Sequence, residues 1–90
     1  MILRKRVVAH GLVQGVFFRD TARRLAQSRD VAGWVRNTAD GSVEAVFEGP
    51  PEAVGSMVSF MHEGPRGAVV ERVDVVEEEP EGLHGFAVTG

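Results

Sequence analysis

The chain of 90 residues has no cysteine and no tyrosine, a single tryptophan, and no low-complexity tract or internal repeat. Without cysteine there can be no disulfide framework, no thiolate zinc site and no cysteine nucleophile. No apolar run approaches the ~18 residues of a membrane span and no signal-peptide pattern opens the chain, so no membrane partner is expected and the cytoplasm is the expected compartment. Aromatic residues amount to 7%, too few for a base-stacking surface. Acids outnumber bases to a net charge of −3, which argues against nucleic acid as a partner.

What is present suits one small globular domain spanning residues 1–90. Apolar residues reach 43%, more than a disordered chain carries. The charge is unevenly spread. Residues 1–30 hold seven cations against Asp20 and Asp30, while residues 31–90 hold Arg36, Arg66 and Arg72 against eleven acids. A basic first third can receive a small anion.

Patterning gives the element order. Residues 2–9 carry β-branched side chains and read as an edge or half-exposed strand, with Arg4-Lys5-Arg6 protecting its edge by charge. Gly11 and Gly15 bracket Leu12-Val13-Gln14 as a loop. Phe18, Ala22, Leu25 and Ala26 then share one helix face, leaving Arg19, Arg23 and Arg24 off it. Val31–Thr38 and Ser42–Phe47 read as strands joined by an Asp40-Gly41 hairpin. Pro50-Pro51-Glu52 opens a second helix that presents Val54, Met57, Val58 and Met61, and Gly64-Pro65 stops it. Val69–Val76 reads as a strand, Glu77–Gly82 as a charged turn, and Phe86 and Val88 as a short last strand. The order β-α-β-β-α-β plus a short strand predicts an α+β, ferredoxin-like split βαβ fold: an antiparallel sheet with two helices on one face.

Two segments carry candidate chemistry. In Gly11-Leu12-Val13-Gln14-Gly15-Val16-Phe17-Phe18-Arg19 a glycine-bracketed loop runs straight into a helix N-terminus. Such a loop can turn backbone N–H groups toward one point, and Arg19 adds a full charge with forked donors. Read locally, the same residues also suit a plain tight turn followed by a solvated Arg. In Gly33-Trp34-Val35-Arg36-Asn37-Thr38-Ala39-Asp40-Gly41-Ser42-Val43, Asn37 ends a strand before a hairpin. Its amide can accept and donate at once, which suits orienting a water; it also suits shaping the turn. Trp34 is expected to pack against a helix. With the first two strands side by side, the loop and Asn37 would come close.

These segments resemble the two signature motifs of the acylphosphatases. Gly11–Arg19 satisfies G-x-V-Q-G-V-x-F-R, and Gly33–Val43 satisfies G-[W/F/Y]-V-x-N-x-x-x-G-x-V, at every fixed position. The resemblance covers essentially the whole chain. It implies that Arg19 binds phosphoryl oxygens and that the backbone of Gly11, Leu12, Val13, Gln14, Gly15, Val16 and Phe17 wraps the phosphate. Asn37 would position the attacking water. The implied reaction is hydrolysis of an acyl phosphate to a carboxylate and inorganic phosphate, with the phosphate also acting as competitive inhibitor of a monomeric enzyme. One departure concerns the C-terminus: vertebrate members tend to finish the last strand with a basic residue and Tyr, whereas this chain reads Val88-Thr89-Gly90.

The chemistry agrees with so sparse a site. An acyl phosphate already has a weakly basic carboxylate leaving group and needs no general acid, whereas a phosphate ester needs an acid or a metal. His10, His62 and His84 are far apart in sequence with no metal-ligand spacing, so neither a metal nor another cofactor is expected. Glu77-Glu78-Glu79 reads as a solvated run rather than a cation site. Two alternatives compete: a carbamoyl-phosphate-acting domain of the hydrogenase-maturation type, and a non-enzymatic ferredoxin-like binding module. With nothing after Gly90, a stand-alone enzyme is the expectation.

Overall fold

Period-two alternation builds the sheet. A computed structural model describes residues 1–90. In β1 (Leu3–Leu12) and β3 (Val43–Gly49), Val7, Ala9, Val43, Ala45 and Phe47 point to one side and enter the core. Arg4, Arg6, Glu44 and Glu48 point to the other. On the apolar side lie α1 (Phe18–Ser28), through Phe18, Ala22 and Ala26, and α2 (Pro51–Glu63), through Val54, Met57 and Met61. Pro51 sits in the first turn of α2, where its missing N–H costs nothing. The remaining strands are β2 (Ala32–Asn37), β4 (Val69–Glu78) and β5 (Phe86–Val88). None of the helices is long and apolar enough to cross a membrane.

The ferredoxin-like α+β architecture is present, with corrections in detail. Strand order is β4-β1-β3-β2-β5, and β5 runs parallel to β2, so the sheet is mixed rather than wholly antiparallel. β1 and β2 are not neighbours: β3 returns from its hairpin into the gap between them. β1 is therefore an interior strand, and Arg4-Lys5-Arg6 guards no edge. It also runs further than expected, because Gly11 and Leu12 continue pairing with Val70 and Val69 across a bulge at His10/Gly11. Gly11 has φ +132, and a Cβ there would lie 2.2 Å from the Val69 carbonyl oxygen. The glycine permits close strand approach, not a turn.

The acidic run is also different from a solvated turn. β4 extends through Glu78, whose carboxylate accepts from Arg4 Nε at 2.9 Å and Arg6 Nε at 2.8 Å. Trp34 lies on the face away from the helices, with the guanidinium groups of Arg6 and Arg36 5.5 and 5.9 Å from its ring centre. On that same face Glu48 and Arg4 are each only 3% exposed. The segment between β4 and β5 crosses above them. The N–H groups of Glu81, Gly82 and Leu83 donate to the Glu48 carboxylate at 2.8, 3.1 and 3.1 Å, and Arg4 Nη1 donates at 2.6 Å. Burial opposes the charge on Glu48, but these donors outweigh it and hold the carboxyl below its ordinary range. The crossover is thereby fixed, and β5 is delivered beside β2.

Candidate active site

The loop between β1 and α1 leaves its backbone donors free. From Gln14 through Asp20 no backbone N–H group donates to a protein acceptor; the first that does is that of Thr21, to the Phe17 carbonyl at 3.0 Å. Some of this belongs to any helix N-terminus, whose first-turn amides have no partner within the helix. The loop adds more, because Gly15 (φ +76) and Phe17 (φ +60) adopt the left-handed conformation that turns successive N–H groups to one side. For an aromatic residue that conformation carries strain. The helix dipole adds partial positive charge at the same point.

Arg19, in the first turn of α1, is aimed by the chain's last residues. Its Nη1 donates to the main-chain oxygen of Gly90 at 2.5 Å, and the same oxygen accepts the Asn37 N–H at 3.0 Å. One oxygen therefore links the two residues singled out by the motifs. Val88-Thr89-Gly90 supports Arg19 through the backbone, so the departure in side chains at this end removes no contact that Arg19 uses here. Thr89 N–H donates to the Val35 carbonyl at 2.9 Å and continues the alignment with β2.

Asn37 ends β2, and its Oδ1 is buried without a hydrogen-bond partner. A buried acceptor left open costs roughly 1–3 kcal/mol, so it calls for a ligand or a water. The hairpin beyond it is tied by its own side chains. Asp40 accepts from Ser42 Oγ at 2.6 Å, from Ser42 N–H at 3.1 Å and from Thr38 Oγ1, and these bonds hold its carboxyl well below the usual range.

Gln14 brings loop and hairpin together. Its side-chain Nε2 donates to the Thr38 carbonyl at 2.9 Å and the Ser42 carbonyl at 2.8 Å, spanning the space that β3 opens between β1 and β2. A cavity of about 400 Å³ lies between, lined by Val13, Gly15, Phe17, Phe18, Arg19, Asp20, Asn37 and Val88. Asp20 does not cancel Arg19: Arg23 and Arg24 pair with it at 2.6 and 3.2 Å, and they keep its carboxyl low.

Of the residues expected at the site, Arg19, Asn37, Val13, Gly15 and Phe17 line this cavity, and Gln14 and Val16 belong to the loop beside it. Gly11 and Leu12 do not reach it, since both are committed to pairing with β4. Sequence reasoning missed the side chain of Gln14 and the main-chain oxygen of Gly90. A long polar side chain at a loop position fixed in the motif was the available signal for Gln14; a main-chain oxygen leaves none.

Comparison with known proteins points to one family. The family model described as Acylphosphatase matches residues 5–88. A protein named Acylphosphatase from Natronomonas pharaonis is 52% identical over 96% of this chain and 94% of its own length. One of the same name from Thermococcus kodakarensis is 54% identical over 96% of this chain and 99% of its own. Among solved structures, the acylphosphatase from Bacillus subtilis covers both chains completely at 37% identity, with a TM-score of 0.93.

Proposed function

The chain belongs to the acylphosphatase family and is a hydrolase of acyl phosphates, and from that premise we propose how its residues act. The phosphoryl oxygens sit against the open N–H groups of the loop and of the first turn of α1, with Arg19 neutralising their charge. Asn37 holds a water by its open Oδ1. The water oxygen forms a bond to phosphorus while the bond from phosphorus to the acyl oxygen breaks. The carboxylate leaves without being protonated, and the water's proton passes to the phosphate product. Positioning and charge stabilisation supply the rate, as phosphoryl transfer requires. No step in this route calls on a metal. Residues 1–90 act as one domain, as a monomer, in the cytoplasm.

The observation that carries this reading is the meeting of unpartnered donors, Arg19 and an unpartnered Asn37 acceptor around one cavity. Benzoyl phosphate hydrolysis, measured with EDTA present and with inorganic phosphate as competitor, tests it. Wild-type protein is expected to be active and to be inhibited competitively. Asn37→Ala should lose at least about a hundredfold in kcat while the inhibition constant for phosphate stays near wild type. Arg19→Gln should lose both. Wild-type turnover in Asn37→Ala would remove the water-positioning role.

A further inference from the structure

The cavity exceeds what a phosphoryl group fills. Allowing each heavy atom roughly the ~30 Å³ share of a water, five atoms occupy about 150 Å³, against about 400 Å³ available. The polar lining gathers at Gly15, Arg19, Asp20 and Asn37. The rest is apolar. Two of the apolar residues, Val13 and Phe18, are buried in the core and form the floor. The other two, Phe17 and Val88, are 81% and 41% exposed and stand at its open side.

Single exposed hydrophobic residues are ordinary. Here two of them, from different elements, border the same cavity as the anion donors. One is held in a left-handed backbone conformation that bulky residues rarely adopt. That conformation does two things at once: it leaves the Phe17 N–H free with the other loop donors, and it presents the ring at the cavity rim.

We propose that Phe17 and Val88 form the acyl subsite, selecting acyl phosphates whose acyl group has an apolar, above all aromatic, body. The proposal rests on the phosphate-binding reading given above. With the phosphoryl group on the loop amides, the acyl group leaves the anion site toward these two side chains, which offer no hydrogen bond to a polar acyl body. An aromatic acyl group gains area burial and ring-edge contact with Phe17.

The test compares Phe17→Gly and Val88→Ala with wild type on benzoyl phosphate and acetyl phosphate, with the inhibition constant for inorganic phosphate as a third reading. Glycine adopts φ +60 without strain, so Phe17→Gly removes the ring and keeps the backbone. Each substrate is compared with itself across proteins, which cancels the difference between the two leaving groups. In Phe17→Gly, the ratio of kcat/KM for benzoyl phosphate to that for acetyl phosphate should fall about three- to tenfold, over and above any loss that the loop change brings to both substrates, which the phosphate inhibition constant reports. Val88→Ala should show the same selectivity with an effect of about twofold. Equal losses on both substrates, or an unchanged benzoyl rate in Phe17→Gly, would overturn the proposal. Failure of the underlying reading looks different: wild-type protein would hydrolyse neither substrate.

Discussion

Two clusters of backbone donors lie at opposite ends of β3, roughly 17 Å apart at ~3.4 Å per residue, and they have opposite fates. At Glu48 the N–H groups of Glu81, Gly82 and Leu83, with Arg4 beside them, close on a carboxylate of the chain itself. At the loop after β1, the N–H groups from Gln14 to Asp20, with Arg19 beside them, have no protein acceptor. The chemistry is the same: a few amides and one guanidinium around a place for an anion. Where the anion is internal, the cluster is structure. Where it is left for a ligand, the cluster is a site. The two are connected, because the crossover that Glu48 holds leads into β5, and β5 leads to the Gly90 oxygen that aims Arg19.

The largest effect should come from opening the filled cluster. Glu48→Ala leaves Arg4 buried without its closest partner, a change that costs about 3 kcal/mol. In a domain of this size that lowers Tm by about 15 °C in a thermal melt. Replacing both residues by Met should recover only part of the loss: it removes the stranded charge but leaves the N–H groups of Glu81, Gly82 and Leu83 without their acceptor. A loss below about 1 kcal/mol for Glu48→Ala would show that the crossover is held otherwise. Acid should act at the same point. The Glu48 carboxyl is held below its ordinary value of 4.5, so its contribution is complete above that pH and is lost as pH falls through the lower folded value. Denaturant midpoints measured between pH 7 and pH 3 should be level at the upper end and fall below about pH 4.5, and Glu48→Gln should flatten that fall.

A smaller effect on stability, and a clear one on rate, should follow from untying the open cluster. Gln14→Ala removes two hydrogen bonds between loop and hairpin, about 1–2 kcal/mol of stability. It leaves the loop amides, Arg19 and Asn37 in place but lets them drift apart. A tenfold or greater fall in kcat is expected, because misplacement by about 1 Å can cost a hundredfold. If Gln14→Ala keeps wild-type kcat, the loop is positioned by its own backbone alone.

The sequence carried the site further than it carried the sheet. Arg19 and Asn37 were legible because both sit at fixed offsets from glycines in two long motifs, and the structure sets them around one cavity. Their approach does not come from adjacent strands: β3 separates β1 from β2, and Gln14 bridges the gap. Gly11 looked like a turn because glycine marks a bulge and a loop equally well, and only pairing with β4 distinguishes them. The Glu48 anchor left a partial trace. Arg4 and Glu48 occupy polar positions in alternating strands and prove to be cross-strand partners. Their burial depends on a crossover that contributes only N–H groups, which every residue but proline has, so no side chain announces it.

The comparison between the two clusters can be read directly by following backbone amide resonances of ¹⁵N-labelled protein during titration with inorganic phosphate. The amides of Gly15, Val16, Phe17, Phe18 and Arg19 should shift and saturate at the phosphate concentrations that inhibit hydrolysis, while those of Glu81, Gly82 and Leu83 stay unmoved. Loop amides that remain still at inhibitory phosphate, or equal movement in both clusters, would contradict the account.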